Sequence, residues 1–383
     1  MRIVFISLYN YAPWGGSEDL WVQTAALAAK EGHDVLASVF DFGKNNSKKI
    51  LNLKNYGVIL HYRKRIDSYD NLIKKAWLFF KNRIKFLKND FKAIIDFKPD
   101  IIFINDPGTF IYIREYKELQ FLIERNKLVY AIVCKLTPDY GVAITDELRH
   151  RAKIIFENAK KMFFVSHRMQ KNIERFLATR IENSMIIQNP VNLETREIIE
   201  FPNEDSIGFA VVSHLGVAHK GQDVLMEILS NDFWREKNWT LNLYGEGSDK
   251  HYLKNLANFF CIADKVFFHG YVDKIQDIWL KNHIMLHPST SEGMSKAIEE
   301  AMMCGRLVVA ADVGGNSELV IENKTGFIAD APSVSSFDKA MRRAWERRKN
   351  WKDLGIYAHN FINNWLNEQP EKTLLDALKS YYL

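Results

Sequence analysis

Short strand-like apolar runs alternate with longer amphipathic stretches along this chain, and the alternation begins twice. Residues 2–8, 34–38, 101–104 and 129–133 read as strands, and residues 18–30, 72–86 and 148–160 read as helices. A breaker cluster follows, Asn189-Pro190-Val191-Asn192. A second set of strands then runs through 207–212, 240–244, 265–268, 284–287 and 307–310. Apolar strands separated by helices point to a parallel sheet covered on both faces, because parallel neighbours need a crossover rather than a hairpin. The pattern predicts an α/β chain of two Rossmann-like units, residues 1–192 and 193–362. Ligands of such sheets bind outside the carboxyl ends of the strands, so the informative motifs are those that follow a strand.

Bulk properties narrow the class. A length of 383 residues suits two domains, and 47% apolar with 26% charged residues suits a full core rather than disorder. Cys134, Cys261 and Cys304 are too few and too scattered for a disulfide framework or a zinc site, so the expected setting is the cytoplasm. The opening MRIVFISLYNYAPWGG reads as a first buried strand rather than a signal peptide, and no apolar run is long enough to span a bilayer. The net charge of +5 is uneven: residues 44–98 hold 15 Lys and Arg against 4 Asp and Glu. Trp77, Phe79, Phe80, Phe86 and Phe91 interleave with that charge. Two readings stand side by side: a solvated amphipathic face, or a peripheral contact with anionic lipid or a lipid-linked acceptor. No nucleic-acid motif accompanies the charge, so nucleic acid is not an expected partner.

The strongest local signal is STSEGMSKAIEEAMMCG, residues 289–305, which follows the strand ending at His287. Gly293 permits close backbone approach, Ser295 stands where an N-cap belongs, and Gly305 stands where a helix stops. The expected helix, about 296–304, would present its N-terminal N–H groups to an anion such as a diphosphate. Glu292 precedes that helix and Glu300 lies within it. Carboxylates accept well from vicinal hydroxyls. Two of them flanking a phosphate site suit a nucleotide sugar; the plainer alternative is two glutamates on a solvated helix.

Glu292 and Glu300, separated by seven residues and followed by AMMCG, resemble the Glu-x7-Glu signature of retaining glycosyltransferase family 4 (glycosyl transferases group 1). The resemblance extends to AADVGGNSELVIENKTGFIA (310–329), SHLGVAHKGQDVLMEIL (213–229), QNPVN (188–192), APWGGSEDLW (12–21) and EGHDV (31–35). It implies the GT-B architecture, two facing Rossmann-like domains with an inter-domain cleft. It further implies a last helix near 372–382, within residues 363–383, packing back on the first domain. Donor binding would belong to the second domain and acceptor binding to the first.

Carried over by position, the resemblance puts Glu300 on the nucleotide ribose. Glu292 with the backbone of Gly293, Met294, Ser295 and Lys296 would hold the donor sugar and phosphate, and Lys220 would neutralise the diphosphate. Gly16 would lie over that diphosphate and Gly15 near the acceptor, although a Gly-Gly pair is equally an ordinary strand–helix turn. The loops at Gly245 and at Gly270-Tyr271 would approach the nucleotide, or serve as plain turns. The family's usual Arg six residues before the Lys is His214 here, which lacks the guanidinium fork. The family's His after the fourth strand is absent; Lys135 is the nearest equivalent, either in that catalytic place or in a structural role. Asn105 and Asp106 follow another strand and could touch the acceptor, or simply form an Asp-Pro turn.

Asp-x-Asp, the pattern that holds a metal on sugar diphosphates in the other major glycosyltransferase fold, does not occur. The expectation is a retaining, metal-independent hexosyltransferase with no cofactor. It would use a UDP- or GDP-sugar and a glycan or lipid-linked acceptor, in surface polysaccharide or glycolipid synthesis. A nucleotide-sugar epimerase of the same fold and a non-catalytic nucleotide-sugar-binding module are the alternatives.

Overall fold

The structure is a computed structural model that describes residues 1–65, 91–108, 110–136, 139, 144–191, 193, 195–203 and 206–381. The helix expected at 72–86, and with it residues 66–90 of the basic aromatic segment, lies outside the described residues. The chain divides into two compact units: residues 1–137, 142–190 and 367–383 form the first, and residues 138–141 and 191–366 the second.

The first unit holds β1 (Arg2–Ser7), β2 (Asp34–Phe40), β3 (Ile59–Arg63), β4 (Ile101–Asp106), β5 (Tyr130–Cys134), β6 (Lys161–Phe164) and β7 (Ser184–Ile186). They form one parallel sheet in the order β3-β2-β1-β4-β5-β6-β7. Every residue of β4 and β5 is buried, as expected of central strands covered on both faces. Phe5 and Trp21 stack at 6.2 Å and pin the helix Asp19–Lys30 to the sheet. The helix Pro370–Lys379 adds Leu374, Leu375 and Leu378 to the same core. Full burial stabilises each such side chain by about 1.5–3 kcal/mol. This terminal piece begins at residue 367 rather than 363. The reason is the helix Trp351–Trp365, which continues unbroken on the second unit, where Gly355 lies directly against the Gly305 carbonyl.

The second unit holds β8 (Ile207–Val212), β9 (Trp239–Tyr244), β10 (Val266–Gly270), β11 (Ile284–His287), β12 (Val308–Ala311) and β13 (Gly326–Ala329), parallel in the order β10-β9-β8-β11-β12-β13. Trp234, Trp239 and Trp351 are buried beneath it. Strand order reverses between β1 and β4 in the first sheet and between β8 and β11 in the second. These two switch points are where open α/β sheets receive ligands. Among the described residues, no helix is long and apolar enough to cross a membrane.

Candidate functional site

In the second unit the loops after β8 and β11 leave the sheet side by side at its switch point. Gly221, at φ 61°, lies so close to the Pro288 carbonyl that any Cβ would fall 2.4 Å from that oxygen. Thr290 then stitches the loops together: its hydroxyl donates to the Ala218 carbonyl at 2.7 Å and its N–H to the His219 carbonyl at 3.0 Å. The close approach brings Lys220 onto Glu292, 72 positions away in sequence, with Nζ 2.5 Å from Oε1. His287, at the end of β11 and 2% exposed, places Nε2 3.0 Å from the same oxygen. Burial alone would raise the Glu292 pKa, but the Lys220 charge and the His287 hydrogen bond outweigh it and hold the carboxyl well below the usual range. Gly314, at φ 52°, lies against the Glu292 carbonyl, and the Gly315 N–H donates to the Gly293 carbonyl at 2.8 Å. The Gly314-Gly315 turn therefore buttresses the backbone that follows Glu292.

The helix that follows runs Lys296–Met303 and ends before Gly305, which adopts φ 76°. Ser295 occupies the N-cap position, but its side chain accepts no hydrogen bond from the helix. The N-terminal N–H groups of that helix are thus not claimed by a cap. Glu300 is partly exposed on the helix. Its neighbour Glu299 points inward, is fully buried and bonds through neither oxygen, and burial pushes its pKa up to about 8. At one edge the Gly245 N–H donates to the Gly270 carbonyl at 2.7 Å, joining the two expected nucleotide loops, and Tyr271 beyond them is exposed. His214 is exposed, and its carbonyl accepts from Gln222 at 2.8 Å.

The first unit has its own polar cluster at its switch point. Gly15 sits under the Tyr9 ring, and the turn Gly16–Glu18 leads into the first helix. Glu18, 2% exposed, accepts from the Trp21 indole at 2.8 Å and from the Asn105 amide at 2.8 Å. Burial raises its pKa to about 7 against the pull of hydrogen bonds from Ser7 and Trp21 and the charge of Lys135. Lys135 is itself buried, with Nζ 2.5 Å from Asn189 Oδ1. Asp106 turns back on its own loop, accepting from the N–H groups of Gly108 at 3.2 Å and Tyr112 at 3.1 Å, and burial raises it to about 7 as well.

The structure therefore assembles Lys220, Glu292, Gly293, Met294, Ser295 and Lys296 at one switch point, and Asn105 with the glycine turn at the other. Two members escape a reading of the sequence, His287 and Glu18. A histidine ending an apolar run reads as part of a strand, and an acid opening an amphipathic helix reads as ordinary first-turn chemistry. The signal that finds them is position, since each stands beside a switch point.

Comparison with known proteins fits this geometry. Residues 194–361 are similar to the sequence model of the family glycosyl transferases group 1. The gpi3 subunit of phosphatidylinositol N-acetylglucosaminyltransferase from Schizosaccharomyces pombe is 24% identical over 262 residues, 64% of this chain and 56% of that one. A human relative from the same enzyme, phosphatidylinositol N-acetylglucosaminyltransferase, is 30% identical over 182 residues, 47% of this chain and 37% of that one. The chain thus spans about half or less of the length of these two relatives. HepE from Anabaena, crystallised with UDP-glucose, superimposes with a TM-score of 0.72 at 15% identity, covering 100% of both chains. The fold is accordingly that of the GT-B class, built from Rossmann-like units with parallel sheets.

Proposed function

We propose that the chain is a glycosyltransferase that moves a sugar from a nucleoside-diphosphate sugar to an acceptor hydroxyl, with retention at the anomeric carbon. The observation that carries this reading is the Lys220–Glu292–His287 cluster standing just before the uncapped helix Lys296–Met303. Lys220 and the helix N–H groups supply positive potential for the departing diphosphate. Glu300 accepts from the ribose hydroxyls, and the unbonded Oε2 of Glu292 accepts from the donor sugar. In the step itself the bond from the anomeric carbon to the phosphate oxygen breaks. The acceptor oxygen forms its bond on the same face, and its proton passes to the departing phosphate oxygen. That route asks the protein for positioning and charge, not for a strong base. Gly15 and Asn105 belong to the acceptor half, Gly16 to the donor diphosphate, and Lys135 takes the place of the family's catalytic-side His.

The relatives act in phosphatidylinositol glycosylation and the structural neighbour binds UDP-glucose, which favours a UDP-sugar donor and glycolipid or surface-polysaccharide synthesis. The basic residues of 44–98 are the proposed contact with an anionic membrane. Charge neutralisation by Lys220 makes transfer independent of a metal, so activity persists in EDTA; complete loss restored by Mg²⁺ would contradict this.

A thermal-shift titration with UDP-glucose, UDP-N-acetylglucosamine and GDP-mannose tests the whole reading, since a ligand that binds the folded state raises its melting temperature. One donor raises the wild-type melting temperature, and Glu300→Ala, losing a charged hydrogen bond of about 1.5–3 kcal/mol, binds it roughly 10- to 150-fold more weakly. A wild type that responds to no nucleotide sugar sinks the proposal. NMR of the first-formed product then reads the anomeric configuration, and a β product from an α donor would overturn retention.

A further inference from the structure

Two donors converge on one oxygen of Glu292. Lys220 Nζ and His287 Nε2 both meet Oε1, at 2.5 and 3.0 Å, while Oε2 carries no bond among the described residues. One cation already balances the charge of a carboxylate, so a second, buried donor on the same atom calls for a reason. The proposed function supplies one. Lys220 must bring its ammonium to the donor diphosphate, yet Glu292 is only 9% exposed. Removing the sole partner of a largely buried carboxylate is strongly unfavourable, so Lys220 alone would be trapped in its ion pair. His287 cannot leave in the same way. It is 2% exposed, and its backbone lies in β11, paired in register with Ala310 of β12.

We propose that His287 is a positioning residue that holds Glu292 as an ionised carboxylate, with Oε2 turned to the ligand, when Lys220 transfers its ammonium to the diphosphate. This inference rests on the nucleotide-sugar reading above. The bond requires the proton on Nε2, because an ionised carboxylate only accepts. The titratable groups that face Glu292 are Lys220 from the loop after β8 and His287 from β11; Lys296 and Glu300 come after it in sequence, on the following helix. Asp139 is engaged elsewhere, accepting from the Gly314 N–H at 2.9 Å. None of these except His287 changes in the test.

Without His287, Glu292 keeps its place only by taking up a proton as Lys220 departs. Nucleoside-diphosphate binding then becomes coupled to protonation. Isothermal titration of the full chain with UDP and with GDP, from about pH 6 to about pH 8 and in buffers of different ionisation enthalpy, reads that coupling. In His287→Leu, affinity falls roughly tenfold or more at the alkaline end and recovers at the acid end, with up to about one extra proton taken up relative to wild type. His287→Gln, which keeps an N–H donor, restores wild-type behaviour. The double variant His287→Leu/Glu292→Gln loses the added pH dependence because it has no carboxylate to protonate. A His287→Leu protein that binds UDP as wild type does at every pH overturns the inference. So does one that is equally weak at every pH with no extra proton uptake, since that is the signature of lost packing. Failure of wild type to bind either UDP or GDP is a different result: it removes the nucleotide-sugar reading and this inference with it.

Discussion

Glu292 and Glu18 occupy matching places in the two units, each at the point where its sheet reverses strand order, and each is almost fully buried. Their chemistry nonetheless diverges. Glu292 touches a lysine and a histidine and is held well below the usual carboxylate range. Glu18 touches an indole and an amide, has its nearest cation tied to Asn189, and is raised to about 7. Glu299 extends the series: equally buried and without partners, it rises to about 8. Burial is common to all three. What differs is whether the donors that meet the carboxylate carry charge, so partner chemistry rather than depth decides which acid is an anion at neutral pH.

The comparison breaks most sharply at Lys220. Lys220→Met leaves Glu292 with His287 alone and removes the diphosphate's cation. UDP affinity by calorimetry falls by about 1.5–3 kcal/mol, roughly 10- to 150-fold. Unchanged affinity would mean that Lys220 serves only to pair Glu292.

Glu299 offers the opposite manipulation. Glu299→Leu replaces an unbonded buried carboxyl with an apolar group of similar size, so stability rises by about 1–3 kcal/mol in urea unfolding. The pH dependence has a definite sign. The folded pKa of about 8 lies above the ordinary value of 4.5, so the folded state binds the proton more tightly. Its contribution is full below 4.5 and is lost as pH climbs through 8. The wild type therefore weakens across that window, and the leucine variant removes that part of the slope. A destabilised Glu299→Leu protein would reveal a bonded role for this acid.

Glu18→Gln gives the smallest effect. Its folded pKa of about 7 also lies above 4.5, so its contribution is lost between those values as pH rises. The glutamine variant flattens the slope of unfolding stability over that range, and it keeps only one acceptor oxygen for the Trp21 indole and the Asn105 amide, so one of those two bonds is lost. Asp106, also raised to about 7, leaves part of the slope in place. An unaltered slope would show that Glu18 is ionised throughout, like Glu292.

Much of the fold was legible early because strand and helix periodicities are local. The strands expected at 207–212 and 284–287 appear as Ile207–Val212 and Ile284–His287, and the helix end at Gly305 follows from one residue's backbone freedom. Ser295 illustrates the limit of that locality. It occupies the cap position that the sequence offers, but whether its hydroxyl turns inward depends on surrounding packing, and here it does not cap.

By itself, then, the sequence determined two parallel α/β units, the placement of Glu292 and Glu300 around one helix, and the Lys-Gly pair that ends the loop after β8. Each of these rests on spacing within a few turns of chain. Only the tertiary structure decided that Lys220 meets Glu292 across 72 positions, that His287 shares the same oxygen, and that Glu18 gathers Trp21 and Asn105. The reason is physical. A carboxylate's ionisation depends on which charges and donors lie within a few ångströms of it, and those neighbours arrive from distant strands that become adjacent only when the sheet forms.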